Sequence, residues 1–145
     1  MTLDEIRKMA DEDVKIDNSS LEYESSIIPQ QHNKYLCILV DEKMNLLRYE
    51  AELNVLRKNK WLYYSGKLSD EELAELEWQP FELNIMKTDV DRFIVSDKDI
   101  IQLSTKVAIQ SEKVAYLESL VKLIANKIWS IRASIDWFKF TQGAG

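Results

Sequence analysis

A mainly α-helical fold is predicted by three features of this 145-residue chain. Three glycines and two prolines are too few for a sheet-rich domain, whose tight turns draw on Gly, Pro, Asn and Asp. Between Pro29 and Tyr64 nothing interrupts a helix, and Gly66 stands where such a helix would stop. From Ile100 to Phe138 apolar residues recur in a regular heptad, the signature of a coiled-coil-like seam. The expected architecture is a long helical hairpin with a C-terminal coiled-coil-like oligomerisation helix and a short β-hairpin near residues 81–95.

Each element has its own signal. Thr2-Leu3-Asp4-Glu5 reads as a capping box opening a short first helix. The run from Ile16 to Ser20 is a turn. Pro29 suits the first turn of the long helix, where its missing N–H costs little. Leu36, Leu39, Val40, Met44, Leu47, Ala51 and Val55 mark one face of that helix as its apolar face. Ser69 with Glu72 opens another short helix, closed by Pro80. Phe81, Leu83 and Ile85 alternate with polar residues, which is the basis for the hairpin. Ser96 with Asp99 is an N-cap signature for a last helix running to about Phe140.

In that last helix the a positions are Ile100, Val107, Val114, Val121, Ile128 and Ile135. The d positions are Leu103, Gln110, Leu117, Ile124, Ile131 and Phe138, so eleven of the twelve are apolar. A helix of about 44 residues would be about 66 Å long, more than one small subunit covers easily. The residues expected to carry oligomerisation are Val114, Leu117, Val121, Ile124, Ile128, Ile131, Ile135 and Phe138. The alternative is an intramolecular hairpin with the helix of residues 29–65, and the two arrangements can occupy different stretches of one helix.

Length and composition fit one domain over 1–145. It comprises a helical part (1–66), an acidic short helix with an extended segment (67–95), and the long C-terminal helix (96–145). The lone Cys37 excludes an internal disulfide and fits a reducing compartment. Leu3–Ala10 is too charged for a secretory core and no run approaches about 18 apolar residues, so a soluble intracellular protein without membrane contact is expected. No cofactor and no enzymatic activity are expected. There is one histidine, His32, and neither GxxxxGK[ST] nor GxGxxG occurs, so no phosphate-cradling loop is encoded.

Charge is distributed unevenly. The net charge is −6, yet residues 53–69 contain no acid. That window holds Arg57, Lys58, Lys60 and Lys67 with Trp61, Tyr63 and Tyr64. Cations neutralise phosphates and release counterions, and flat rings stack bases without reading sequence. These seven residues are the candidate single-stranded DNA site, a cationic collar at a helix end. The plainer alternative is that the cations complement the helix dipole while Trp61 and Tyr64 are core. Asp70, Glu71, Glu72, Glu75, Glu77 and Glu82 follow with no cation among them, either a solvated acidic helix, a dock for a basic partner, or an autoinhibitory mimic of nucleic acid near the collar. After Glu118, Lys122, Lys127, Arg132 and Lys139 face one acid, Asp136, among Trp129, Trp137, Phe138 and Phe140. These residues either flank an oligomer interface or form a second nucleic-acid surface.

Four segments carry a family resemblance. They are Ile16-Asp17 with Leu21-Glu22-Tyr23-Glu24; Leu47-Arg48-Tyr49-Glu50-Ala51 through Lys58-Asn59-Lys60-Trp61 to Tyr63-Tyr64-Ser65-Gly66; Met86-Lys87-Thr88 with Ser96-Asp97-Lys98-Asp99; and Ala125-Asn126-Lys127-Ile128 with Ile131 through Gly143. In this order they resemble the UvsY-type recombination mediators of large tailed bacteriophages. The resemblance implies a helical subunit in a ring-shaped homo-oligomer, hexamer or heptamer, in the cytoplasm of an infected bacterial host. It implies binding to single-stranded DNA, bare or coated by the phage single-strand-binding protein, and loading of a RecA-like recombinase (UvsX-type). The family's Lys-x-Arg-Leu DNA element maps onto Lys58, Asn59, Lys60 and Trp61. Lys60 replaces the arginine, so a point charge stands where a bidentate fork would, and Trp61 replaces the leucine with a ring. The rival from another class is a structural coiled-coil assembly or scaffold protein without nucleic acid.

Overall fold

The computed structural model describes residues 1–143. Among the described residues seven α-helices follow one another: α1 (Leu3–Asp13), α2 (Leu21–Ser26), α3 (Ile28–Tyr64), α4 (Asp70–Leu76), α5 (Val90–Val95), α6 (Lys98–Ala125) and α7 (Lys127–Thr141). A 3₁₀ turn over Lys87–Asp89 precedes α5. The chain divides into two compact units, Met1–Met44 with Ser111–Gly145, and Asn45–Gln110. They are called here the terminal and the central unit.

Local chemistry sets the helix ends. The Thr2 hydroxyl accepts from Glu5 N at 3.1 Å while Thr2 N donates to the Glu5 carboxylate at 2.8 Å, closing the capping box that opens α1. Ser69 and Glu72 repeat the device at α4. Helix α3 ends in a Schellman motif: Lys67 N donates to Leu62 O at 2.9 Å and Gly66 N to Tyr63 O at 3.2 Å, with Gly66 at φ 70°, the left-handed conformation that glycine adopts without a Cβ penalty. The same pair of bonds ends α4, Trp78 N to Leu73 O and Glu77 N to Ala74 O, with Glu77 in the left-handed position at φ 59°.

The expected hairpin does not form. Among the described residues there is no strand, and 81–95 is an extended segment followed by the 3₁₀ turn and α5. An isolated two-stranded hairpin is marginal in water, and the rings of Phe81 and Phe93 pack on side chains of α3 instead of pairing as strands. Two boundaries also shift. The cap of α6 is Asp97, whose Oδ1 accepts Asp99 N at 2.9 Å and Ile100 N at 3.1 Å, while the Ser96 hydroxyl donates back to Arg92 O. The last long helix is interrupted at Asn126, where Trp129 N donates to Asn126 O at 3.0 Å in a tight turn. Such interruptions bend helices.

The terminal unit buries Ile6 and Ala10 of α1, Tyr35 and Leu39 of α3, Val114, Leu117, Leu120 and Ile124 of α6, and Ile131 of α7. Here the heptad seam meets a partner in its own chain. Val114, Leu117, Ile124 and Ile131 are core, and Val121 and Ile128 are half-buried. Only Ile135 and Phe138, 36% and 62% exposed, continue the seam into solvent. Up to Ile131, then, the seam residues of the terminal unit are covered within their own chain.

Polar side chains are built into this core. Lys127 Nζ lies 3.1 Å from the Glu24 carboxylate and donates to Asp13 O at 3.0 Å and Gln31 Oε1 at 3.2 Å. One ammonium thus ties α1, α2, α3 and α7 together. The Asp13 carboxylate accepts from Lys34 and from the Tyr35 hydroxyl, both at 2.6 Å. Burial opposes the charge of Asp13, but these two donors outweigh it and hold its carboxyl below the usual range. Burial and the Asp13 carboxylate push the Tyr35 phenol well above its own.

The inward face of α3 is not the apolar one. Gln31, Tyr35, Leu39 and Glu42 turn into the terminal core, and Leu53 and Lys60 into the central one. Of the expected face only Leu39 is buried. Leu36, Val40, Met44, Leu47 and Val55 are exposed.

Candidate nucleic-acid interface

The end of α3 and the turn that follows it carry the seven DNA residues expected from the sequence, and the fold separates them into two sets. Leu53, Lys60 and Tyr64 recur at helical spacing on the inward side. Lys60 is 6% exposed, its Nζ 3.0 Å from Asp97 Oδ2 and 2.9 Å from Asp99 Oδ2. The same ammonium stands 4.0 Å from the centre of the Trp78 ring, a cation–π contact that strengthens as the site loses water. The Tyr64 hydroxyl donates to Asp97 Oδ2 and the Tyr63 hydroxyl to Gln79 O, each at 2.5 Å.

Around this lysine the rings form a cluster. Tyr63 meets Tyr64 at 5.1 Å and Trp78 at 5.3 Å, and Phe81 meets Tyr64 at 4.9 Å and Phe93 at 5.7 Å. These are edge-on arrangements of the kind rings prefer in cores. Burial pushes the Asp97 carboxyl up, but bonds from Tyr64, Ile100 N and Lys60 outweigh it and hold the group below the usual carboxylate range. Burial and the Asp97 carboxylate push the Tyr64 phenol far above the usual tyrosine range. Lys60, Tyr63 and Tyr64 are therefore engaged within the chain, their polar ends taken up by Asp97, Asp99 and Gln79 O. Asp97 and Asp99, the acids that neutralise Lys60, lie far outside the acid-free window, so no reading of that window could reveal them.

The other set faces water. Arg57, Lys58 and Lys67 are exposed, and among the described residues no ion pair engages them. Trp61 is 39% exposed, and Lys67 Nζ lies 4.4 Å from its ring centre. The left-handed turn at Gly66 folds Lys67 back onto the helix and so creates this couple. A further cation–ring pair in the central unit, Lys106 Nζ 4.2 Å from the Tyr49 ring, leaves no local sequence signal because its members lie on different helices. The acids of α4 are exposed. Among the described residues no cluster of His, Cys, Asp and Glu is placed to hold a metal ion, and no helix is long and apolar enough to cross a membrane.

In the terminal unit α7 displays apolar side chains on several sides. Trp129, Trp137, Phe138 and Phe140 are 63%, 67%, 62% and 72% exposed. Arg132 lies over the Trp129 ring at 5.1 Å, and Trp137 stacks on Phe140 at 5.8 Å.

The sequence profile described as "Recombination, repair and ssDNA binding protein UvsY" matches residues 9–144. The chain belongs to the UvsY family. It is 25% identical over 143 residues to the recombination protein UvsY of Enterobacteria phage T4, covering 99% of each chain. The fold is that of the bacteriophage T4 recombination mediator protein UvsY in its crystal structures. In lattice type II the TM-score is 0.84 at 23% identity over 100% of this chain and 99% of that one. In lattice type IV it is 0.84 at 22% identity over 97% and 99%. Membership of the UvsY family makes this a helical member of a phage recombination, repair and single-stranded-DNA-binding group, the mediator class expected from the four sequence segments.

Proposed function

We propose that the chain binds single-stranded DNA through Arg57, Lys58, Lys67 and Trp61 and hands the strand to a RecA-like recombinase. The observation that carries this reading is the exposed Trp61–Lys67 couple beside two unpaired cations in a chain of net charge −6. A ring offers a stacking face and a cation offers a phosphate anchor, so the pair suits a base and its backbone together. Subunits assemble into a ring through the exposed end of the seam, Ile135 and Phe138, and the aromatic surface of α7. Repetition of a weak site around a ring raises its effective concentration. A strand held on such a rim is loosened from the single-strand-binding protein that coats it, and the recombinase follows. The mediator performs no covalent chemistry in this scheme.

The test is a titration of fluorescent oligo-dT followed by anisotropy at several salt concentrations. Each phosphate engaged contributes about −0.7 to the log–log salt slope. Arg57→Ala with Lys58→Ala is expected to flatten the slope and weaken binding while the protein sediments as before. An unchanged slope would remove these residues from the site. No binding by the wild type at low salt would leave the scaffold reading in its place.

A further inference from the structure

We infer that Lys60, although it occupies the place of the arginine in the family's linear DNA element, is a positioning residue that braces the strand-binding end of α3 from behind and contacts no phosphate. This rests on the proposed reading of Arg57, Lys58, Lys67 and Trp61 as the strand-facing set.

The geometry is specific. Lys60 Nζ has two carboxylates within 3.0 Å and an indole face at 4.0 Å, so its charge is neutralised before any strand arrives. Lys60 itself is buried, so a phosphate that reached this ammonium would have to displace a carboxylate that already holds it, the buried Asp97 or the more open Asp99. Asp97 is committed on both oxygens. Oδ1 caps α6 through Asp99 N and Ile100 N, and Oδ2 accepts from Tyr64 as well as Lys60. Extracting Lys60 would leave a buried carboxylate without its cation and strip the ring cluster of the ammonium at its centre, a strongly unfavourable change. The exchange would gain one phosphate contact of a kind that exposed lysines supply without it.

Withdrawal of Lys60 has a directional effect. At about 100° per residue, Lys58 lies about 160° around α3 from Lys60, so fixing one inward fixes the other outward. Trp61, about 100° away by the same spacing, emerges at the side, where Lys67 meets it. The brace joins the last turns of α3, the Trp78 segment and the start of α6 into one support, and the orientation of the outward residues depends on it.

Five proteins in the oligo-dT salt titration decide the matter: wild type, Lys58→Ala, Lys60→Arg, Lys60→Met, and Lys60→Met with Asp97→Asn and Asp99→Asn. The triple variant removes both halves of the buried pair, and an asparagine at 97 can still cap α6. Near-ultraviolet circular dichroism reports the packing of Tyr63, Tyr64 and Trp78. Lys58→Ala is expected to reduce the magnitude of the salt slope. Lys60→Met is expected to lower affinity about tenfold with the slope of the wild type and a diminished aromatic signal. The triple variant is expected to regain the aromatic signal and to bind within about threefold of the wild type at unchanged slope. Lys60→Arg, which keeps the charge, is expected to retain both. A triple variant with the restored aromatic signal but the flattened slope of Lys58→Ala would overturn the inference. Should Lys60→Met fail to fold, the triple variant alone distinguishes a brace from a phosphate contact. Should the wild type not bind the strand, the functional reading fails separately, and the brace is then judged by the aromatic signal. Its loss in Lys60→Met and return in the triple variant uphold the brace; an unaltered signal in Lys60→Met refutes it.

Discussion

Replacing Lys127 with methionine should unfold the terminal unit far more readily than any surface change. The substitution keeps the hydrocarbon stem and deletes the ammonium, so little cavity is created. What remains is Glu24, 9% exposed, without its cation, together with Asp13 O and Gln31 Oε1 without their donor. Breaking a buried pair by removing one partner costs about 3–5 kcal/mol. Glu24 Oε2 receives no well-directed hydrogen bond even in the wild type, so the attraction there is mainly Coulombic and the lower figure, about 3 kcal/mol, is the better expectation. For a chain of this length that lowers Tm by about 10 °C. With a urea m-value of about 2 kcal/mol/M, the denaturation midpoint should fall by about 1.5 M. The assay is equilibrium urea denaturation by far-ultraviolet circular dichroism at one fixed protein concentration, since assembly contributes to apparent stability. The partner variant Lys127→Met with Glu24→Gln should recover at least half of the loss, because removing both members of a buried pair can be nearly neutral. A Lys127→Met protein within about 1 kcal/mol of wild type would refute the view that this ammonium holds four helices together.

Two further outcomes follow from groups described above. Asp97 and Asp13 have folded pKa values below their ordinary 3.8, so their stabilisation is present above that value and is lost as pH falls through the lowered ones. Urea midpoints measured from about pH 5 to about 2.5 should decline steeply below about pH 4, and Asp97→Asn, less stable at neutral pH, should show a shallower decline. On α7, Phe138→Asp replaces an exposed side chain and should keep stability within about 0.5 kcal/mol while sedimentation shows smaller species. Ile131→Asp, at a site 1% exposed, should instead unfold the terminal unit, and normal assembly of Phe138→Asp would take α7 out of the interface.

The elements that sequence reasoning located correctly are those fixed by local chemistry. The two capping boxes, the uninterrupted run into α3 and the glycine that ends it are all decided within a few residues. The errors arose where distant chain decides. Leu36, Val40, Met44, Leu47 and Val55 form the more apolar stripe of α3, yet they face outward, because Gln31, Glu42 and Lys60 find buried partners on the other side. Apolar periodicity registers a face, not which face an ion pair will pull inward. The alternation of Phe81, Leu83 and Ile85 was misleading for a related reason. Phe81 packs among rings from α3 and α5 while Leu83 stays 64% exposed, so the segment has no strand face. Helix α2, with the polar sequence LEYESS, has little apolar signal of its own and is tied to the core through Glu24. In the candidate site the window was legible as basic and aromatic. Which of its cations remain available was not, because Asp97 and Asp99 are close only in space.

The order in which the chain leaves the ribosome bears on how the two units form. The central unit, Asn45–Gln110, is one continuous stretch, and its Lys60–Asp97 pair can close as soon as that stretch is made. The terminal unit is assembled from the first and last parts of the chain, and the Lys127 bond to Asp13 O spans 114 residues. At about 5–20 residues per second, helix α1 waits roughly 6–23 s for the lysine that will anchor it. During that interval the core that buries Ile6 and Ala10 is incomplete, because its α6 and α7 members are not yet made, and the nascent amino-terminal helices are open to proteases and to the wrong partners.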